Sequence, residues 1–167
     1  VESSDEVHCT YRGRYRVPDD FSKRLMRIER SALVPYSDEV VFRVVNDVES
    51  YPKFLPWCSG SEIISRDATE IVARLDLSGA GVSQSITTRN LLCPPKSIHL
   101  SLVDGPFAQL EGEWHFKRLD VAACKIEMIL SFSVDNSVLN LALGKVFEAA
   151  ADKMVDAFCS RVDALHG

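Results

Sequence analysis

Four histidines (His8, His99, His115 and His166) and five cysteines (Cys9, Cys58, Cys93, Cys124 and Cys159) are the side chains on which nucleophilic or metal chemistry would rest in this chain. Their spacing supports none of it. No two histidines stand at ligand spacing, no C-x-x-C pair occurs, and no nucleophile can be matched with a base. The histidines read as solvated or rim residues. The cysteines, odd in number and far apart, read as reduced, buried small hydrophobes of a cytosolic protein. Gly79-Ala80-Gly81 resembles half of a phosphate loop, but no lysine and no helix follows it, so it reads as a hairpin turn. Catalytic and metal-ligating residues are therefore expected to be absent, and the chemistry left is that of binding.

Three segments could bind. The first is Tyr51-Pro52-Lys53-Phe54-Leu55-Pro56-Trp57, where two prolines leave room for at most one short turn carrying four large apolar side chains. Such a segment either packs on a core or covers one, so Phe54, Leu55 and Trp57 read as core or as a gate. The second is Arg89, set in a strand between Ile86 and Leu91. If its guanidinium points inward, it must find a carboxylate, a carbonyl or a ligand oxygen. The third is Asp104-Gly105-Pro106-Phe107, a tight turn with Phe107 either as an anchor or in contact with a ligand.

Composition narrows the partners. A chain of 167 residues, 46% hydrophobic, fits one domain and buries a core without metal or disulfide staples. Nineteen basic side chains face 24 acidic ones, and the first 30 residues hold seven of the basic ones. The rest is more acidic than the whole, with no bulk electrostatic reason to seek a phosphate backbone, and DNA is excluded as a partner. No apolar run is long enough to cross a bilayer and no signal peptide opens the chain, so a cytoplasmic protein is expected.

Residues 1–25 lack either hydrophobic period and are expected to form an extension outside the fold, disordered or not native, with Met26 as a candidate first residue. The domain proper is 26–167. Ile28, Arg30, Ala32 and Val34 alternate in a strand that Pro35 closes. Ser37 then caps a helix bearing Asp38 and Glu39 in its first turn and Val41, Phe42, Val44, Val45 and Val48 on one stripe. Six strand patterns follow, at about 61–66, 70–77, 82–92, 97–103, 109–119 and 123–134. Short turns join them, which makes an antiparallel meander the economical topology. From Asn136 or Ser137 to about Leu165 runs a single apolar stripe, predicting one helix roughly 40 Å long. The expected architecture is α+β: a strand, two short helices, and a curved antiparallel sheet wrapped around the long C-terminal helix.

A curved sheet closed by one helix and lined by side chains of modest size leaves an internal apolar cavity. Leu75, Leu77, Ile86, Leu100, Leu102, Trp114, Phe116, Phe147 and Met154 are the expected lining, with Phe54 and Trp57 at the mouth.

Five blocks in fixed order carry a resemblance: Val34-Pro35-Tyr36-Ser37, Val45-Asn46-Asp47-Val48, Tyr51-Pro52-x-Phe54-Leu55-Pro56, Thr88-Arg89-Asn90 and Asp104-Gly105-Pro106-Phe107. Over about Arg27 to His166 the chain resembles the coenzyme Q-binding START-like proteins of the polyketide cyclase/dehydrase superfamily, nearest their ribosome-association toxin branch. The resemblance implies a helix-grip fold with a hydrophobic cavity. It further implies a non-catalytic protein that binds ubiquinone or a related polyprenyl quinone, or another lipid, in support of respiration, with transient contact with the inner membrane. The toxin branch implies instead a protein that binds the large ribosomal subunit and blocks subunit joining, for which Lys96, Lys117, Arg118 and Lys125 are candidate surface cations. A polyketide cyclase is the third reading and lacks visible acid-base groups. Under the ligand reading the contacts fall to Phe54, Leu55, Trp57, Leu75, Ile86, Arg89, Phe107, Trp114, Phe147 and Met154, with no resident cofactor.

Overall fold

The computed structural model describes residues 25–135 and 137–167. The expected N-terminal extension, up to residue 24, lies outside them, as does Asn136. Strand β1 (Met26–Val34) leads through Ser37 into helix α1 (Asp38–Asn46). The Ser37 hydroxyl accepts the Val40 N–H at 3.3 Å, and two carboxylates in the first turn face the positive end of the helix dipole. Val41, Phe42, Val44 and Val45 form its buried stripe. The Asp47 N–H turns back to Val44, and a 3₁₀ helix, Val48–Lys53, carries the chain over Pro52 to Phe54.

The six strands of the meander are β2 (Cys58–Arg66), β3 (Glu70–Gly79), β4 (Val82–Cys93), β5 (Ser97–Asp104), β6 (Gln109–Asp120) and β7 (Ala123–Ser133). They pair antiparallel in sequence order, and β1 closes the other side by pairing with β7, giving the order β1-β7-β6-β5-β4-β3-β2. At the β3–β4 turn Gly79 pairs with Val82, and Ala80 and Gly81 take φ of 48° and 78°, the two left-handed positions a two-residue hairpin requires. Strict alternation sets the inner face: Cys124, Ile126, Met128, Leu130 and Phe132 of β7 are all buried, with Lys125 and Glu127 between them turned outward and paired.

The C-terminal segment is two helices, α2 (Val138–Asp152) and α3 (Met154–His166), where the periodicity predicted one. The break falls at Lys153, whose N–H reaches back to Ala150 and Ala151. No proline or glycine stands there. The cause is tertiary: a straight rod cannot follow a curved sheet, whereas two shorter helices bury Leu143, Phe147 and Ala151 and then Val155, Phe158 and Val162 along one continuous face against it. Arg30, the charged residue on the inner row of β1, pairs with Asp152 at this break. Ser137 caps α2 by accepting the Asn140 N–H.

Candidate functional site

Between the sheet and α2–α3 lies a cavity of about 70 Å³. Ala73 and Leu75 of β3, Ile86, Thr88 and Asn90 of β4, and Ile98 and Leu100 of β5 form part of its floor. Leu110, Gly112 and Trp114 of β6, with Met128 and Leu130 of β7, complete it. Val45, Val48, Tyr51 and Trp57 form one wall, and Phe147 and Met154, on either side of the Lys153 break, form the lid. Gly112 keeps the floor open: a Cβ there would stand 3.0 Å from both Leu100 and Leu130.

Six residues expected at the site therefore line it: Trp57, Leu75, Ile86, Trp114, Phe147 and Met154. Four others do not. Phe54 packs edge-on against Tyr51 and Phe158, with the Arg161 guanidinium 5.1 Å from its ring centroid. Leu55 is 1% exposed and belongs to the core. Phe107 packs between Phe132 and Phe147, the anchor after a Gly105 turn. Arg89 faces outward and pairs with Glu70 at 3.2 Å, because alternation along β4 turns Ile86, Thr88 and Asn90 inward and Arg89 away. Leu77, Leu102 and Phe116 also stand off the cavity; Phe116 packs on Phe42 instead.

Thr88 and Asn90 are the functional candidates that the sequence reading passed over as site residues. The signal was present, since both flank Arg89 and share the parity of Ile86. Thr88 Oγ1 donates to Asn90 Oδ1 at 3.1 Å. Tyr51 donates its phenol to the Val45 carbonyl, and burial raises its pKa, with Cys58 and Asp47 nearby adding to the effect. Glu113 reaches the cavity wall, but strand alternation turns its carboxylate to the outer face, where it meets His115 at 3.0 Å. Among the described residues no lysine, arginine or histidine lines the cavity.

The cysteines need one correction. Cys58, Cys124 and Cys159 are free, but Cys93, half-buried at the end of β4, is disulfide-bonded. Cys93 is thus not one of the reduced thiols expected from the sequence. Among the described residues no helix is long and apolar enough to cross a membrane.

Residues 34–159, three-quarters of the chain, match the family described as polyketide cyclase/dehydrase and lipid transport. The chain belongs to that family. Among relatives of this polyketide cyclase/dehydrase family member, the ribosome association toxin RatA of Vibrio cholerae is 46% identical over 143 residues, 86% of this chain and 99% of the relative. The mitochondrial coenzyme Q-binding protein of Drosophila melanogaster is 28% identical, over 86% of this chain and 61% of the relative. The Zhui aromatase/cyclase from a Streptomyces species superposes with a TM-score of 0.74 at 20% identity, covering 84% of this chain and 94% of that one. That last likeness establishes the helix-grip fold.

Proposed function

We propose that this chain is a non-catalytic carrier of a neutral apolar ligand, with polyprenyl quinones as the class that fits best. The observation carrying this reading is the cavity itself: apolar on nearly every wall, with the polar groups of Thr88 and Asn90 set into its floor. Ligand sites of this kind draw affinity from burial and orientation from a few polar groups. Among the described residues Glu113 is the carboxylate at the wall and it turns outward to His115, and no imidazole lines the cavity, which favours binding over acid-base chemistry. At about 70 Å³ the cavity is smaller than the roughly 300–1,000 Å³ of occupied ligand pockets. Loading therefore requires the lid to swing outward, and the break at Lys153 between Phe147 and Met154 supplies the pivot. The carrier would work in the cytoplasm with transient contact with the inner membrane. The test is to purify the protein from a quinone-producing bacterium, extract it with organic solvent and analyse the extract by mass spectrometry. Co-purifying quinone in near-stoichiometric amount supports the reading; folded protein with no lipid extracted counts against it.

A second reading, association with the large ribosomal subunit, is favoured by the toxin's name at 46% identity. It is also favoured by an outer groove where Lys96, Lys117 and Arg118 have no ion-pair partner among the described residues. Lys125 is spoken for by Glu127, and Asp38 and Glu39 also line the groove, so its field is weak. Co-sedimentation with ribosomal subunits that falls steeply with salt supports this reading, and its absence at low salt removes it.

A further inference from the structure

Two inward positions on β4 break the apolar face of the floor. Thr88 lies opposite Ala73 of β3 and Leu102 of β5, and Asn90 opposite Ile71 and Leu100. Thr88 is 6% exposed. Valine and leucine would fit the same pleat without desolvating a hydroxyl and a carboxamide, so the polar pair costs stability unless its hydrogen bonds are made. They are only half made within the protein. The Thr88 hydroxyl uses its proton on Asn90 Oδ1, which fixes the amide oxygen toward β4. That leaves the Asn90 amino group, with its two N–H donors, at the cavity wall and with no protein acceptor among the described residues.

The indole N–H groups of Trp57 and Trp114 also reach the wall, but each is a single donor at the edge of an apolar ring, whereas Asn90 presents two on a side chain that Thr88 holds in place. Tyr51 has given its proton to the Val45 carbonyl. Among the described residues no cation lines the walls, so a carboxylate or phosphate head group would be buried without a counter-charge, a far larger cost than burying a ketone.

The geometry points to the Thr88–Asn90 pair as the head-group recognition element of the cavity, selecting neutral ligands that present a carbonyl oxygen and rejecting anionic lipids. This rests on the carrier reading above and adds to it which end of the ligand goes in first and what chemistry is read there. Thr88 is the positioning residue: it holds the amide so that the donor side, not the acceptor side, faces the ligand. A site built around a buried donor discriminates strongly against a molecule lacking the matching acceptor, because the donor is then left unpaired.

The chain has two tryptophans, Trp57 and Trp114, and both line the cavity, so their emission reports occupancy directly. The experiment titrates three probes sharing a similar tail: a decyl-substituted dimethoxybenzoquinone, decylbenzene with no oxygen, and laurate. Wild-type protein is expected to bind the quinone roughly tenfold tighter than decylbenzene, the worth of one well-placed hydrogen bond, and by a larger factor over laurate, whose carboxylate meets no counter-charge. Asn90→Leu should lose about that factor for the quinone and none for decylbenzene. Thr88→Val, which keeps the shape and frees the amide to turn, should lose several-fold for the quinone only. Circular dichroism confirms that each variant is folded. If Asn90→Leu binds the quinone as wild type does, the recognition role is overturned while the carrier reading stands. If laurate binds as tightly as the quinone, the selectivity is overturned. If none of the three probes quenches wild-type emission, the carrier reading fails and the role of the pair fails with it.

Discussion

Phe158 holds the lid to the wall. Its ring is 1% exposed and meets Tyr51, Phe54 and Trp114 edge-on, with centroids 5.4, 5.4 and 5.2 Å away. One side chain of α3 thus ties together the 3₁₀ helix, the segment after it and the floor of the sheet. Phe158→Ala removes a fully buried ring at a cost of about 3–5 kcal/mol. Three edge-to-face pairs, each worth roughly 0.5–1.5 kcal/mol beyond their area, place this site at the upper part of that range, near 4–5 kcal/mol. For a domain of this size that corresponds to a fall in Tm of roughly 8–20 °C. Phe54→Ala removes a ring that is only partly buried, and whose partners besides Phe158 are the Tyr51 ring and the Arg161 guanidinium over its face. Its cost should be about 1–2 kcal/mol. The assay is urea denaturation followed by circular dichroism for both variants, comparing midpoints at constant slope. A loss below about 2 kcal/mol for Phe158→Ala, or equal losses for the two variants, would refute the clamp.

Met154→Glu puts a carboxylate at a partly exposed lid position and should abolish quinone binding while the protein stays folded; retained binding would remove Met154 from the site. Arg89→Ala breaks only an exposed pair with Glu70, so it should cost less than about 1 kcal/mol and leave the tryptophan titration unchanged. Burial pushes the thiols of Cys58 and Cys124 up from 9.0 to about 11. The unfolded chain releases those protons first, so stability from this source is intact below about pH 9 and declines as the pH rises to about 11. Denaturation midpoints measured across that window should fall, and Cys58→Ala with Cys124→Ala should flatten the slope.

The order of elements was legible in the sequence because β7 and α1 obey their periods closely: alternate residues of β7 are buried, and the α1 stripe is fixed by the Ser37 cap. The single C-terminal helix was misread because its stripe runs unbroken through Lys153; the bend there answers to the curvature of the sheet, which no local residue encodes. The lid residues Phe147 and Met154 were readable as the apolar side of that stripe. Arg89 was misplaced by chemistry overriding geometry: a charged residue in a strand invites a ligand, but the parity of Ile86 already assigned it to the outer face. The same parity, applied to Thr88 and Asn90, would have found the polar pair. Cys93 could not be assigned from spacing, since a disulfide depends on which cysteines the fold brings together.

The chain has three methionines, and they divide cleanly: Met128 in the floor and Met154 in the lid line the cavity, while Met26 at the start of β1 does not. Methyl-labelled methionine observed by NMR during titration with the decyl-substituted quinone tests the carrier account most directly. Saturable shifts of Met128 and Met154 with Met26 unmoved are the predicted result. Three stationary methyl signals at saturating quinone, or shifts of all three without saturation, would contradict it.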